Sequence, residues 1–239
     1  MNELIQNEIK KNGNTNLITN SGLRSGQEIF AIGDSHAIFF YNSLKIKEHW
    51  FFSHTKISHK LPLTIYTLLT NDIDIYNIGN ALGNGHELYN IKDKSFVIMF
   101  FGFNDMQRNI HLHAKETWKE SINDLIKKYV IKIVKFKIDY KIIPIISCIY
   151  PNPKLYAMGQ NSMGTYEERR AYTIYANKLL KELCIIYDVD FIDIYGFITD
   201  EDGFIKQEFT KDGIHLDYDN IFIREYVENI IIKLCENRL

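Results

Sequence analysis

Apolar residues along the 239-residue chain gather in short runs separated by polar, glycine-containing segments. Runs at 28–32, 73–78, 95–101, 141–147 and 189–194 are rich in β-branched and aromatic residues, and each predicts a strand. The third and fourth, "SFVIMFF" and "KIIPIIS", are almost wholly apolar, as parallel strands covered on both faces must be. Between them, Trp118, Ile122, Leu125, Ile126 and Tyr129 recur at helical spacing. "TYEERRAYTIYANKLLKELCIIY" and "NIFIREYVENIIIKLCENR" predict two further amphipathic helices. Strands alternating with helices predict a parallel sheet built from βαβ units. The aromatic segment "HWFFSHTKISH" is expected to pack as helix and loop beside that sheet. Neither an internal repeat nor a linker interrupts the pattern. The expected organisation is one α/β domain over 1–239, with a polar extension at 1–26.

Composition narrows the classes of function. A formal net charge of −2 gives no global bias toward nucleic acid or anionic membrane. Cys148, Cys184 and Cys235 are widely spaced and odd in number, which argues against a disulfide framework or a zinc cluster. No apolar run approaches the length of a bilayer span, and the first residues lack the apolar core of a signal peptide. The expectation is a cytoplasmic protein.

In open α/β sheets, ligands bind beyond the carboxyl ends of the strands. The polar residues that interrupt the apolar pattern fall there. Gly33-Asp34-Ser35-His36 follows the first strand, and "NIGNALGNGHE", with Gly79, Gly83 and Gly85, follows the second. Gly102, Asn104 and Asp105 follow the third, and Asp212 and His215 follow the last. A serine hydroxyl needs a base within hydrogen-bonding reach, and histidine titrates in the right range. That base needs a carboxylate on its other ring nitrogen, and a spacing of three residues lets Asp212 and His215 meet on one turn. Attack on an ester also creates an oxyanion that N–H groups must stabilise. Ser35 N–H, a glycine N–H and the Asn104 amide are the available donors.

Gly33-Asp34-Ser35, a glycine after the second strand, Gly102-Phe103-Asn104-Asp105 and Asp212-Gly213-Ile214-His215 together resemble the four blocks of the SGNH (GDSL-type) hydrolases. The blocks occur in family order over about 28–216. The resemblance implies a flavodoxin-like three-layer α/β/α sandwich with a five-stranded parallel sheet. It implies Ser35 as nucleophile, His215 as base and Asp212 as its partner. The oxyanion hole would comprise Ser35 N–H, a block-two glycine and Asn104, with Asp34, His36, Gly102 and Asp105 in support. No metal or organic cofactor is implied. Gly83 is preferred in block two over Gly79 and Gly85, since the family spacing would place the glycine one residue earlier, at Leu82. His36 stands where the commonest form has leucine, and "GDSH" resembles members associated with bacterial surface-polysaccharide acylation.

Simpler readings compete at each position. Ser35 in a Gly-Asp-Ser turn is equally a helix cap, Asp212-Gly213 a surface turn, and Asn104-Asp105 a cap on the following helix. "TDEDGFIKQE" suggests a calcium loop, but aligning Gly203 on its central glycine puts Ile198 and Phe209 where acidic ligands belong. His49, His54, His59, His86, His111 and His113 form no ligand pattern and read as loop residues, with His86 and His111 placed to reach substrate. Tyr150-Pro151-Asn152-Pro153 is expected to open a substrate-facing loop. The reading that accommodates all four blocks is an esterase acting on a small O-acyl group of a carbohydrate, its partner a small-molecule or glycan ester. An O-acetyltransferase, a lipid or thioester hydrolase, and an inactive glycan-binding module are the alternatives.

Overall fold

The computed structural model describes residues 29–37, 39, 52–54, 64–70, 93–113, 116–153, 162–217 and 219–238. Its centre is a parallel sheet of five strands: β1 (Ile29–Gly33), β2 (Phe52–His54), β3 (Phe96–Phe100), β4 (Ile143–Ser147) and β5 (Asp190–Ile192). They lie in the order β2-β1-β3-β4-β5, the flavodoxin-like order. The order reverses between β1 and β3, so the crevice beyond their carboxyl ends is the expected ligand site.

Period-two alternation supplies both faces of the sheet with a core. On one face, Phe30, Ile32, Val97, Met99 and Ile146 pack against three helices. These are α1 (Ile65–Thr70), α2 (Trp118–Asp139) and α3 (Tyr166–Ile186). Ile122, Ile126, Tyr129, Val130 and Ile133 form the buried stripe of α2, while Tyr172, Ala176, Leu180 and Cys184 form that of α3. On the other face, Ile29, Phe96, Ile98, Phe100 and Ile145 meet α4 (Tyr195–Ile198) and α5 (Ile221–Glu236). Each large side chain fully withdrawn from water contributes about 1.5–3 kcal/mol, so two continuous cores hold the sandwich together. All three cysteines are buried and free.

The helix boundaries follow local chemistry. Thr117 and Glu120 form a reciprocal capping box at the start of α2, and Thr165 and Glu168 repeat it at α3. Both T-x-x-E signals stand before the apolar periodicity, so polar residues settle where the helices begin. Asn220 caps α5 by accepting from the Phe222 and Ile223 N–H groups.

One expectation changes. Phe52–His54, expected in helix or loop, is instead the edge strand β2, paired in parallel with β1. Aromatic residues suit a strand as readily as a loop, and only the vacant edge of β1 decides between them. The strand expected at 73–78 lies outside the described residues. The continuation of the loop that Tyr150-Pro151-Asn152-Pro153 is expected to open, 154–161, lies outside the described residues, while these four residues are all buried. Asn152 explains this: its carbonyl accepts from Ile205 N–H and its amide donates to Thr173, which ties the segment inward.

The tightest constraint is where β1 meets β3. Gly33 is paired with Phe100, and a Cβ on Gly33 would lie 1.9 Å from the Phe100 carbonyl oxygen. That neighbour is backbone at the sheet centre and cannot yield. Gly33→Ala is therefore expected to lower stability by about 3 kcal/mol or more. Urea unfolding followed by far-UV circular dichroism measures this, and a midpoint equal to that of wild type would contradict the close approach.

Candidate active site

Ser35 opens a single 3-10 turn, Ser35–Ala37, immediately after β1. Asp34, not Ser35, caps that turn. Asp34 Oδ1 accepts from His36 N–H at 3.0 Å, the Asp34 backbone carbonyl accepts from Ala37 N–H at 3.0 Å, and Asp34 N–H donates to Phe100 O at 2.8 Å. These bonds occupy the N–H groups of Asp34, His36 and Ala37 and leave the Ser35 hydroxyl for other partners.

That partner comes from the far end of the chain. His215 Nε2 lies 3.0 Å from Ser35 Oγ across 180 residues, and His215 Nδ1 lies 2.6 Å from Asp212 Oδ2. The loop carrying both residues is pinned by an antiparallel bridge between Thr210 and Leu216. Within it, Asp212 Oδ1 accepts from the backbone N–H groups of Ile214 at 2.8 Å and His215 at 2.7 Å. The carboxylate thus folds the turn with one oxygen and meets the imidazole with the other. Partial burial pushes the Asp212 carboxyl upward, but the bonds from the His215 ring and from the two N–H groups outweigh it. They hold the carboxyl at about 2, so it is ionised at neutral pH. Serine, imidazole and carboxylate form one hydrogen-bonded line at the sheet edge, the arrangement that nucleophilic acyl transfer requires.

The family model for GDSL-like lipase/acylhydrolase matches residues 29–219, from β1 through the His215 loop. The chain belongs to the GDSL-like lipase/acylhydrolase family. It is an esterase of the serine-hydrolase type. Solved structures share its fold at low identity. A GDSL-like lipase from Bacteroides thetaiotaomicron is 12% identical, with 98% of each chain covered and a TM-score of 0.53. A Bacteroides fragilis protein described as an acylhydrolase is 16% identical, with 96% of each chain covered and a TM-score of 0.53. A Streptococcus pneumonia protein described as a platelet activating factor is 17% identical, covering 98% of this chain and 92% of its own, with a TM-score of 0.55. No curated protein sequence matches the chain.

The third GDSL block lies beside the first because β3 lies beside β1. Gly102 has φ +117°, a backbone conformation that side chains rarely adopt, and a Cβ there would also strike Ile149 at 2.7 Å. This kink turns the chain from β3 into the π turn Asp105–Asn109, with Asn104 just ahead of it. Asn104 is half-buried, and its side chain makes no capping bond to that turn. The block-two position, Gly83 with Gly79 and Gly85, lies outside the described residues.

Asp105 does cap a helix, but not the one that follows it. Its carboxylate accepts from the Ile65 N–H at 2.7 Å and the Tyr66 N–H at 3.1 Å, forty residues back, and from the Asn109 amide at 3.0 Å. The first turn of α1 is thereby fixed to the active-site turn. Sequence offers half of this signal: Thr64 and Thr67 cap each other reciprocally at the start of α1, while the clamp from Asp105 is purely tertiary.

The other residues fall into place around this centre. His113 stacks on Tyr66 at 4.0 Å, and His111 packs on Tyr172 at 5.2 Å. Among the described residues, no three His, Cys, Asp or Glu side chains converge to hold a metal ion.

Asp34 is the electrostatic cost of the site. It is 1% exposed, and burial pushes its carboxyl up to about 8, with the bond from His36 N–H opposing and nearby Asp105 adding to the rise. The carboxyl is protonated in the folded chain at neutral pH and ionised in the unfolded one. Stability from this group is complete below its ordinary value of 3.8 and is lost as pH rises to about 8. Asp34→Asn should flatten the loss of stability between about pH 5 and about pH 8 by up to about 1.4 kcal/mol per pH unit. Urea midpoints at both pH values measure the slope. A slope equal to that of wild type would mean the carboxyl is ionised inside the fold.

Proposed function

We propose that Ser35, His215 and Asp212 act as nucleophile, base and orienting acid of an esterase that removes a small O-acyl group, most simply acetyl, from a carbohydrate. The observation carrying the chemistry is the unbroken line Ser35 Oγ, His215, Asp212, with contacts of 3.0 and 2.6 Å. Ser35 Oγ attacks the acyl carbon while its proton passes to His215 Nε2. Ser35 N–H and the Asn104 amide receive the oxyanion. His215 then protonates the departing sugar oxygen, leaving an acyl-Ser35. Water attacks that ester, His215 takes its proton and returns it to Ser35, and the free acid leaves. Asp212, ionised throughout, keeps Nδ1 protonated and Nε2 free to accept. None of these steps calls on a cofactor.

Two features support a bulky, hydrated alcohol as the leaving group. The Asp212 and His215 side chains are 52% and 32% exposed, which places the proposed base within reach of a hydrated substrate. The Gly33-Asp34-Ser35-His36 sequence resembles that of proteins associated with polysaccharide acylation. The same acyl-Ser35 would serve a sugar hydroxyl in place of water if an acceptor were held in the attack position.

Ser35→Ala or His215→Ala should lower kcat on short aryl esters by about 10⁴–10⁶-fold with the fold intact, because such residues act as a unit. A fluorophosphonate should label Ser35. Turnover by Ser35→Ala within about tenfold of wild type would overturn the assignment. Acetylated sugars, compared with esters of longer acyl chains, test the substrate class. Adding free glycans to the same assay distinguishes hydrolysis from transfer: acylated sugar exceeding free acid by mass spectrometry would make the protein a transferase.

Asn104→Ala should lower kcat by about 10²–10³-fold with little change in KM, as loss of one oxyanion donor does. A raised KM with kcat intact would instead assign Asn104 to substrate binding.

A further inference from the structure

His36 follows the nucleophile directly, yet it is 1% exposed and points inward. Four rings from three parts of the chain surround it. Phe103 lies at 4.1 Å between centroids, His215 at 4.7 Å, Tyr150 at 5.3 Å and Phe100 at 6.1 Å. Neither of its ring nitrogens has a hydrogen-bond partner. Burying two unpaired polar atoms costs stability that an aliphatic side chain would not. Core packing alone therefore does not account for this residue.

Its contact with His215 does. The His215 ring is held at Nε2 by Ser35 and at Nδ1 by Asp212. Two bonds at opposite sides of a ring fix its direction but leave it free to tip about the line joining them. A flat group packed on the ring removes that freedom, and it also keeps water from the covered side. The His36 ring, tilted at 41° to the His215 plane with centroids 4.7 Å apart, abuts that ring and limits this tipping.

We propose that His36 is a positioning residue, whose ring packs on His215 so that the base keeps one orientation toward Ser35 and stays dry on that side. This rests on the assignment of His215 as the base. His215 gains a positive charge as Ser35 attacks, so the ring beside it must carry none. The groups facing His36 meet that need. Tyr150, Phe100 and Phe103 are uncharged, the Asp34 carboxyl is protonated, and the Asp212 carboxylate is already committed to His215. Burial, followed by the proximity of His215, holds the His36 imidazole well below its ordinary range and hence neutral. An imidazole is also the smallest aromatic disc that a side chain offers.

The test separates ring shape from ring nitrogens. His36→Leu retains bulk and loses the flat ring, whereas His36→Phe retains the ring and loses the nitrogens. His36→Leu is expected to lower kcat about tenfold with KM within about twofold, the effect of a misplaced group in the reacting line. The acid limb of its kcat/KM profile should move to higher pH, because water that reaches a base favours its charged form. His36→Phe should restore kcat to within about threefold and return the limb to its wild-type place. Wild-type kcat and pH profile in His36→Leu would overturn the proposal. So would a His36→Phe as impaired as His36→Leu at equal thermal stability, since the nitrogens would then be the working groups. Should both variants fail to fold, Phe103→Leu loosens the ring nearest His36; a fall in kcat with the same shift of the acid limb supports the proposal, and an unchanged profile overturns it. The controls are independent: active Ser35→Ala defeats the assignment of the triad, while inactive Ser35→Ala with unaltered His36→Leu defeats this inference alone.

Discussion

The approach of β1 to β3 is the constraint on which the site depends. Asp34 N–H extends the ladder onto Phe100 O, and Gly33 lets the two backbones come within a distance that no side chain permits. The strand order reverses between these two strands, and in such sheets ligands bind beyond the carboxyl ends at that point. Ser35 follows β1 and Asn104 follows β3, so both stand at that end of the sheet. A slip of one residue in either strand would turn one of them into the core.

The sandwich places acidic groups where water is excluded, and it does so to order turns. Asp34 and Asp105 are both almost fully buried, and burial raises both carboxyls. Each accepts backbone N–H groups: Asp34 those of the nucleophile turn, Asp105 those of α1. A carboxyl accepts more bonds than a hydroxyl or an amide, which suits it to hold an irregular turn beneath a reactive group. Asp212 does similar work at the surface, where hydrogen bonds prevail over burial and the charge survives. The same residue type thus braces turns within the fold, where burial raises its carboxyl, and stands as an anion at the surface, where hydrogen bonds hold the carboxyl down.

Around His215, the arrangement is more aromatic than its hydrogen bonds suggest. His36, Phe100, Phe103 and Tyr150 form a buried cluster that reaches the His215 ring. Rings restrict orientation through shape and keep water away, which a hydrogen bond alone does not. A catalytic imidazole needs both kinds of restraint, since its task is to move a proton along one line.

Much of this was written in local patterns. The unbroken apolar run "SFVIMFF", helical periodicity after Trp118 and the T-x-x-E caps specify elements through contacts only a few residues long, so the sequence by itself determined the parallel α/β class and the helices that cover it. It also determined that Ser35, Asn104, Asp212 and His215 follow strands, because the chemistry of those blocks is local. Other features depend on residues far apart. The edge strand at Phe52–His54 exists because β1 has an open side, and Asp105 caps a helix forty residues away. Asp34 is neutral only because two cores close over it, and His36 finds its meaning only when the chain returns, 180 residues after Ser35, to lay His215 beside it. Burial and long-range contact set these properties, and neither is a property of the one-dimensional chain.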